Sequence, residues 1–442
     1  MKISFSAYRQ IIKSINQSSL MTYKPLLETN DIIYQSTYSE SNINDKKELS
    51  VEEIHDFLSI YQTKNYPKVT CGIITFNEER CIERCLKSIS NEVDEVILVD
   101  SGSTDNTVNI VKEKFPHVSV YVDKWNGSFS SQRNIILDKS SNDWVLFLDA
   151  DEYLDNSHQG KLKDVIKVLD FLPYNDFCVS PIIVDSNGYE YDSTKRIFNK
   201  QSNIRYHGKV HEEPILTTGD IPEQYQVNIR FHHDGYSPEV KEAKQKSKRN
   251  LTLVREMLIL EPENPKWMFF YAKALQEQTD TESQIQAYTY LMKTIDCYTK
   301  RKADRFLFMS LILICQYCLQ NGKIKEMKFY LNLLKEKAPN CADIGYFELS
   351  LYLLVNQFKM KKLIDDLQEV YIEANDKVSY LHTSKAHLYH IAGLASYQIG
   401  EINNSINFFN KIPPSTMDNK ETEFLLSTYK KLEEYLKIKN KI

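Results

Sequence analysis

Short apolar runs alternate with helical patterns through the middle of the chain. Val69–Thr75 is an apolar run of strand length, and the apolar residues after it recur at i, i+3, i+4 and i+7, which predicts one face of a helix. The later predicted elements are the strands Val96–Val99, Val118–Val122 and Trp144–Leu148, a helix capped by Ser103 and a helix over Ser130–Ser140. This order predicts a parallel, doubly wound sheet of the α/β class.

Polar residues stand at the ends of these predicted strands. Asn77 and Glu78 follow the first strand, Asp100 ends the second, and the pair Asp149 and Asp151 ends the fourth. Ligands of doubly wound sheets bind at the carboxyl ends of the strands, so we expect these side chains to line one site. Paired carboxylates suit Mg²⁺ or Mn²⁺, and an ion with few protein ligands keeps open positions for a diphosphate. The sequence therefore predicts a metal-assisted site for a nucleotide diphosphate, with a solvated loop as the alternative interpretation of so short a carboxylate pair.

The pattern changes after Asp151. Four further strands are predicted, separated by turn residues: Phe177–Ile183, Lys195–Phe198, Ile204–Val210 and Val227–Phe231. Two histidine-containing loops are predicted at 207–214 and 232–236. Histidine is a common acid–base group and metal ligand, so both loops are candidate site segments. A lone histidine is more often structural, and that alternative stays open for each loop.

Both ends of the chain carry helical patterns. Residues 1–67 are polar with Tyr and Leu at helical spacing, and Ser50 and Glu53 form a predicted capping box. Helix pairs are predicted from Pro238 onward, over Trp267–Ile295, Ala303–Lys337 and Ser384–Ile412, with turns at Gly322 and Gly400. The pairs resemble degenerate tetratricopeptide-type repeats, and a plain helical bundle is the alternative. We expect three parts: a helical segment (1–67), an α/β domain (68–237) and a helical domain (238–442).

Composition narrows the functional classes. The 442 residues imply two or three domains. The net charge of −5, from 55 Lys and Arg against 60 Asp and Glu, gives no overall field that favours nucleic acid or membranes. Only 12 glycines are present and no glycine-rich phosphate loop is visible, so a metal and side chains must hold any phosphate. The basic run Lys241–Arg249 could meet a diphosphate, but a solvated helix face is the favoured interpretation.

Cysteines and apolar runs indicate the compartment. Most of the eight cysteines stand in apolar contexts, and Cys315 and Cys318 lie in a predicted core helix, so buried thiols are expected rather than a zinc or redox site. The apolar run Phe306–Cys315 is shorter than the ~20 residues that span a bilayer. Met1–Met21 lacks the apolar core of a signal peptide. These features predict a cytoplasmic protein.

Five sequence elements, in order, resemble the inverting family 2 glycosyltransferases of GT-A fold. They are Thr75–Glu78, Cys85–Ser88, Val99–Asp105, Arg133–Asn134 and Asp149–Asp151. The remainder of the chain, more loosely at its ends, is similar to a narrower branch, the bacterial peptide S-glycosyltransferases that modify glycocins such as sublancin and thurandacin. The stretches that carry this second likeness are Cys71–Ile74, Tyr206–Pro214 and Leu260–Trp267.

The resemblance implies how the donor is held. Asp100 would accept a hydrogen bond from the uracil ring and so select a UDP-sugar. Thr75, Asn77 and Glu78 would line the uridine. Arg133 would stand near the nucleotide or the diphosphate.

The resemblance also implies the metal ligands and leaves the catalytic base open. Asp151 would bind the divalent cation directly, Asp149 would lie at the ribose or the metal, and His233 would be a late histidine ligand. Family 2 enzymes usually carry an Asp-based acidic pair as the base. The pair His211 and Glu212 stands in its place here, so both residues are candidates.

The activity implied by the resemblance is an inverting transfer of a hexose from a UDP-sugar to a cysteine thiol. The acceptor would be a ribosomally made bacteriocin precursor peptide, and the enzyme a homodimer whose extra helices build the dimer contact or a peptide groove. Two alternatives remain: a family 2 transferase that acts on a Ser hydroxyl or on an envelope saccharide or lipid, and a non-catalytic helical adaptor. Intact Asp100, Asp149 and Asp151 disfavour the adaptor.

Overall fold

The computed structural model describes residues 3–15, 22–29, 32–35, 49–172, 177–234, 246–303, 305–373 and 384–412. The chain forms two compact units, Met1–Ala287 and Tyr288–Ile442. The three-part division at residues 67 and 237 stays a prediction. The predicted basic run lies partly outside the described residues, as do the predicted loop residues 235–236.

Within the described residues, a mixed sheet of ten strands organises the first unit. Its strands run in the order β1-β12-β7-β9-β5-β2-β3-β4, with β6 paired to β12 and β8 to β7. They are β1 (Ile33–Gln35), β2 (Val69–Thr75), β3 (Glu95–Asp100), β4 (Ser119–Val122), β5 (Trp144–Asp149), β6 (Glu152–Leu154), β7 (Phe177–Asp185), β8 (Glu190–Tyr191), β9 (Ile197–Asn199) and β12 (Glu223–His233). A separate hairpin pairs β10 (Ile204–His207) with β11 (Glu213–Leu216).

The centre of this sheet is parallel, as predicted. Strand β2 lies between β3 and β5 and runs parallel to both. These three strands are almost wholly buried, which explains why they read as continuous apolar runs rather than alternating ones. The register sets Thr75 opposite Asp100 and Ile74 opposite Asp149, so the polar strand ends meet at one edge. The later strands add antiparallel pairs and make the whole sheet mixed.

Helices cover the sheet between its strands. In chain order they are α1 (Phe5–Ser14), α2 (Lys24–Glu28), α3 (Val51–Thr63), α4 (Ile82–Ile89), α5 (Thr107–Lys114), α6 (Phe129–Lys139) and α7 (Lys161–Leu169). Helix α6 packs closely on β2 because Gly72 has no side chain. A Cβ at Gly72 would lie 2.5 Å from Cγ2 of Ile136 and 3.1 Å from the Phe147 ring. This close contact brings α6, and with it Arg133, down onto the strands that carry the site.

Two predictions about local structure in the first half of the chain are wrong. The segment 1–67 is not only helical, since β1 joins the sheet with Ile33 opposite Val227 of β12. Ser103 does not cap a helix either: α5 begins at Thr107, after Asn106. The Ser103 hydroxyl donates to the Asp100 carboxylate instead, so the serine shapes a loop. The capping box between Ser50 and Glu53 is confirmed.

The rest of the described chain is helical. The first unit includes α8 (Lys246–Leu260) and α9 (Pro265–Gln276), α10 (Thr281–Arg301) crosses the boundary between the units, and the second unit continues with α11 (Leu307–Gln320), α12 (Ile324–Lys337), α13 (Asp343–Asp366), α14 (Ala386–Gln398) and α15 (Ile402–Asn410). Gly322 and Gly400 have φ values of +62° and +81° at the turns that end α11 and α14, as predicted. Cys315 and Cys318 are buried, also as predicted. Within the described ranges, no helix is long and apolar enough to cross a membrane.

Candidate active site

The loop after β3 folds around the Asp100 carboxylate. Oδ1 of Asp100 accepts from the backbone N–H groups of Gly102, at 3.0 Å, and Ser103, at 2.9 Å. Oδ2 accepts from the Ser103 hydroxyl. Asp100 is only 1% exposed, so its charge is held by its own loop at the strand end. Asp100 therefore fixes the shape of the loop at the end of β3. The nucleotide site is predicted at this edge of the sheet.

The residues after β2 hold the same loop from the other side. Asn77 adopts φ +55° and its Oδ1 accepts from Thr104 N at 2.8 Å, while its own N–H donates to Ser103 Oγ at 2.8 Å. The N–H of Glu78 donates to Thr107 Oγ1 at 2.8 Å. Thr75 Oγ1 is buried and has no hydrogen-bond partner among the described residues. The structure thus brings Thr75, Asn77 and Glu78 together beside the Asp100 loop.

A buried ion-pair network crosses the end of β5. Arg133, on α6, donates from Nη2 to Asp149 Oδ1 at 2.7 Å and from Nε to Glu212 Oε1 at 2.8 Å. Arg196 donates from Nη2 to Asp149 Oδ2 at 2.7 Å and to Glu152 Oε1 at 2.6 Å. Glu152 also accepts from the Asp149 N–H, at 3.0 Å. Both oxygens of Asp149 are therefore bonded to arginines, and its assignment to the ribose or the metal stays a prediction.

The electrostatics of the network follow from burial and pairing. Burial alone would raise the pKa of Asp149, but Arg196 and Arg133 outweigh it and hold the pKa well below its ordinary value. Burial raises the pKa of Glu152 to about 7, and the nearby charge of Asp149 adds to that shift. Arg133 Nη1 is buried without a hydrogen-bond partner in the described part of the chain. An orphaned donor on a buried arginine is costly, and a ligand oxygen would satisfy it.

Asp151 and His233 form a close pair at the same edge. The imidazole Nε2 lies 3.4 Å from Asp151 Oδ1, and both side chains are 9% exposed. Burial lowers the pKa of His233, but the Asp151 carboxylate outweighs it and raises the pKa above its ordinary value. Oxygen and imidazole ligands at right angles on one ion with ~2.1 Å bonds lie ~3 Å apart, so this donor set fits a small divalent cation.

Asp151 and His233 would offer two protein donor atoms to such an ion. No group of three or more His, Cys, Asp or Glu side chains that could hold a metal occurs among the residues that the structure describes. His232 and His233 lie on β12, so the prediction of a histidine loop at 232–236 is wrong for these two residues. Successive side chains of a strand point to opposite faces, so His233 is buried while His232 is half-buried.

The loop 207–214 is held between α6 and the helices after the sheet. Asn134 of α6 donates from its amide to the Tyr206 carbonyl and accepts from the Tyr206 N–H, each at 2.9 Å. On the other side Lys266 Nζ bonds Glu213 Oε1 at 2.7 Å, and Lys209 Nζ bonds Glu256 at 2.6 Å. Strand β10 ends at His207, earlier than the predicted end at Val210. The loop is therefore held by α6 where it begins, at Tyr206, and by α8 and α9 through Lys209 and Glu213.

The two candidate bases have different surroundings in this loop. His211, at φ +48°, stacks on Phe270 with ring centroids 3.9 Å apart. Burial lowers the pKa of His211 to about 3, with Lys266, Lys273 and Arg249 adding to the effect, so its imidazole is uncharged at neutral pH. Glu212 is ion-paired through Oε1 to Arg133, and its Oε2 has no hydrogen-bond partner among the described residues, although the charge of Arg249 lies near it. Glu212 reaches the site through Arg133, whereas His211 packs on Phe270, and the roles of both as bases stay predictions.

Sequence comparisons agree with this arrangement. The sequence model of the family described as Glycosyl transferase family 2 matches residues 70–232. The chain is also 33% identical over 392 residues to the SPbeta prophage-derived glycosyltransferase SunS of Bacillus subtilis (strain 168), a match that covers 89% of this chain and 92% of the relative. The chain belongs to glycosyltransferase family 2. Membership in this family and the mixed sheet identify its catalytic domain as a GT-A fold.

Other relatives of this family 2 glycosyltransferase are more distant. An uncharacterized glycosyltransferase of Rickettsia felis (strain ATCC VR-1525 / URRWXCal2) is 27% identical over 234 residues, covering 46% of this chain and 78% of the relative. Among solved structures, S. aureus TarS shares 18% identity with a TM-score of 0.37, over 60% of this chain and 54% of TarS.

Two residues of this family 2 site were missed by the sequence analysis. Arg196 and Glu152 are 6% and 1% exposed, yet both are ionisable groups beside Asp149. One signal was present in the sequence: Arg196 lies inside the predicted strand Lys195–Phe198, and an arginine in a buried strand needs a carboxylate partner. The identity of that partner depends on the pairing of β9 with β5, which is a long-range contact.

Gly208→Ala is expected to destabilise the transferase. Gly208 has φ +105°, and a Cβ there would lie 2.6 Å from Cη2 of Trp267. Trp267 is fully buried and its indole N–H donates to Glu261 at 2.9 Å, so it cannot move freely. Backbone strain of about 1–2 kcal/mol and overpacking of about 1–3 kcal/mol should lower the free energy of unfolding, measured by chemical denaturation.

Gly188→Ala is the matched control for this substitution. Gly188 has φ +80°, but a Cβ there would meet nothing within 4 Å. The control therefore reports backbone strain alone and should lose less stability than Gly208→Ala. Equal losses for the two variants would mean that contact with Trp267 does not matter.

Proposed function

We propose that this chain transfers a hexose from a UDP-sugar to a cysteine thiol of a precursor peptide, with inversion and with a divalent cation. Glucose is the first hexose to test, and the proposed active form is a homodimer. Family 2 membership and the likeness to SunS over 89% of the chain support a transferase of this type. The resemblance of Tyr206–Pro214 to peptide S-glycosyltransferases supports the thiol acceptor.

The observation that carries the proposal is the sharing of Arg133 by two segments. Its guanidinium bonds Asp149, at the end of β5, and Glu212, in the loop 207–214. A residue at the predicted donor edge and a residue of the predicted acceptor loop are therefore joined by one side chain. This supports a single site in which the donor and the acceptor meet.

The donor would be held by side chains rather than by a glycine-rich loop. Asp151 and His233 are the residues proposed to hold a Mg²⁺ or Mn²⁺ ion, on the basis of their 3.4 Å separation. When bound, the ion stabilises the negative charge that develops on the departing diphosphate. Arg133 Nη1, buried without a partner, is proposed to donate to an oxygen of the donor.

The proposed reaction is a single displacement at the anomeric carbon. The thiol proton passes to the Glu212 carboxylate while the sulfur attacks, and the new S–C1 bond forms as the bond from C1 to the diphosphate oxygen breaks. The electron pair of the broken bond leaves with UDP, and attack from the opposite side inverts the configuration. His211, uncharged in its stack, is the alternative acceptor of the proton.

A thiol makes a smaller demand on the base than a hydroxyl does. A free cysteine with a pKa of ~8.5 is a few per cent thiolate near neutrality and is strongly nucleophilic. A serine hydroxyl must lose its proton during attack. We therefore expect sulfur acceptors to react faster than oxygen acceptors in the same site.

The test uses the purified chain of residues 1–442 with UDP-sugars and three acceptors, read by intact mass spectrometry. The acceptors are a cysteine-containing precursor peptide, the same peptide with Cys→Ser, and a saccharide. A hexose mass increment on the cysteine peptide supports the proposal. Modification of the saccharide with none of the peptide favours the envelope alternative instead.

Asp100→Asn is expected to weaken donor binding and to reduce the preference for UDP-sugars over GDP-sugars. Oδ2 of Asp100 carries one described hydrogen bond, from Ser103, and has capacity for a second one from a uracil N–H. Loss of that partner should cost about 1–3 kcal/mol of donor affinity, measured as KM for each donor.

Ser103→Ala is the control, because it removes the loop hydroxyl and leaves the carboxylate in place. The control should keep the preference for UDP-sugars. If Ser103→Ala reduces the preference as much as Asp100→Asn does, Asp100 acts by shaping the loop and not by reading the base.

A further inference from the structure

Two exposed arginines converge on Asp234, the residue that directly follows β12. Arg80 forms a bidentate pair with Asp234, at 2.9 Å from Nη1 to Oδ2 and 3.1 Å from Nη2 to Oδ1. Arg84, in the first turns of α4, also donates to Asp234 Oδ2. Asp234 directly follows His233, and its N–H donates to the Asp151 carbonyl at 3.3 Å. The Asp234 carboxylate is thus bonded to Arg80 and Arg84, and the Asp234 backbone is hydrogen-bonded to Asp151.

Arg84 also reaches the short strand β6, which follows Asp151. The Arg84 guanidinium lies 4.1 Å from the centroid of the Tyr153 ring. Tyr153 stacks on His232, with centroids 5.1 Å apart and planes at 24°, and His232 Nε2 pairs with Asp155 at 2.7 Å. These contacts lie on the outward side of the β6–β12 pair. His233, the next residue along β12, faces the buried side.

We propose that Arg80, Arg84 and Asp234 form a positioning clamp that keeps His233 beside Asp151 for binding of a divalent cation. The inference rests on the proposed function, because it assigns a role to residues around the proposed metal pair. Neither arginine needs to touch the ion. Their effect passes through Asp234 to the end of β12, where the imidazole must stay within ligand distance of Asp151.

The exposure of the clamp argues against a role in global stability. The side chains of Arg80 and Arg84 are 50% and 45% exposed, and that of Asp234 is 26% exposed. Exposed ion pairs contribute little to the stability of a whole fold. A bidentate arginine fixes geometry as well as charge, so local order at the strand end is the property that it controls. Asp234→Asn should therefore change metal affinity without a matching change in Tm.

The test is a titration of the metal-free chain with Mn²⁺, in which electron paramagnetic resonance measures the concentration of the free ion. The Tm of each variant is measured separately by thermal unfolding. Asp234→Asn is expected to raise the Kd for Mn²⁺ about 10-fold, the size found when a group behind a metal ligand is lost. The double variant Arg80→Gln, Arg84→Gln should give a similar increase, and combining it with Asp234→Asn should add little more. This double variant carries the test if Asp234→Asn does not fold.

A matched control lies on the same strand. Arg230 of β12 pairs with Glu190 at 3.2 Å, with side chains 31% and 48% exposed, three residues before His233. Arg230→Gln removes an ion pair of the same kind from β12 without touching its end. The Kd for Mn²⁺ of this variant should equal that of the unmodified chain.

Asp151→Asn separates failure of the clamp from failure of the metal site. If Asp151→Asn loses Mn²⁺ while Asp234→Asn and the double arginine variant bind it normally, the clamp is refuted and the metal site stands. If Asp151→Asn itself binds Mn²⁺ normally, the metal part of the proposed function and the clamp both fail. A Kd raised equally by Arg230→Gln would also refute the clamp, because the effect would then belong to the strand in general.

Discussion

Asp151→Asn is expected to lower the rate of sugar transfer by at least about 100-fold and to leave the fold intact. Stabilisation of a leaving diphosphate by a Lewis acid is worth several kcal/mol, and each ~1.4 kcal/mol is a factor of ten in rate. Asp151 is bonded to His233 but takes no part in the ion pairs of Arg133 and Arg196, so its replacement leaves that network complete. The measurement is kcat with the UDP-sugar and a peptide acceptor.

Chelation and a surface control complete this prediction. EDTA should stop transfer by the unmodified chain, and added Mg²⁺ or Mn²⁺ should restore it. Asp138→Asn is the control, because Asp138 is an exposed carboxylate on α6 that pairs only with Arg205 in the described contacts. Its rate should be unchanged. Full turnover in the presence of chelator would refute the metal-assisted mechanism.

The central sheet could be predicted from the sequence because its signals are local. Apolar runs such as Val69–Thr75 and Trp144–Leu148 are bounded by helical patterns, and the rule that ligands bind at carboxyl ends then places Asp100, Asp149 and Asp151 at one edge. The structure confirms the parallel pairing of β2 with both neighbours. The helix pairs were predictable because their signals are also local: each turn is marked by one glycine, Gly322 or Gly400, with a positive φ value.

Features that depend on long-range pairing could not be predicted. Strand β1 has only three residues and is a strand only because it pairs with β12, where Val227, opposite Ile33, lies almost two hundred positions away in the sequence. Arg196 reaches Asp149 and Glu152 only because β9 pairs with β5. Ser103 has the local pattern of a helix cap, but in the fold its hydroxyl donates to the buried Asp100 carboxylate instead of capping a helix. In each case a tertiary contact overrides the local signal.

The surroundings of the two candidate bases differ, and the difference favours Glu212 in the proposed reaction. An efficient general base has a pKa near the working pH. Burial lowers the pKa of His211 to about 3, and its ring is stacked flat on Phe270. Protonation during catalysis would put a charge in that stack, near Lys266. Glu212 keeps Oε2 without a hydrogen-bond partner among the described residues, so that oxygen is open to a thiol proton while Oε1 keeps its bond to Arg133.

Glu212→Gln is therefore expected to lower kcat for the cysteine peptide by about 100- to 10,000-fold, the range of general-base catalysis. Glutamine keeps the shape and a hydrogen-bond acceptor for Arg133 but cannot accept the thiol proton. Binding of the UDP-sugar should weaken far less, since Arg133 keeps Asp149. His211→Phe is the comparison variant: it retains a flat ring on Phe270 and should keep most of the rate if Glu212 is the base.

The Cys→Ser peptide makes this test sharper, because a hydroxyl depends on the base more than a thiol does. With the unmodified chain, the serine peptide should react more slowly than the cysteine peptide, and Glu212→Gln should widen the gap. Rising pH supplies more thiolate but no more alkoxide near neutrality, so the variant should recover partly with the cysteine peptide alone. Near-normal turnover of the cysteine peptide by Glu212→Gln at neutral pH would mean that another group is the base or that the thiolate needs none. A large loss in His211→Phe with little loss in Glu212→Gln would move the role to the histidine.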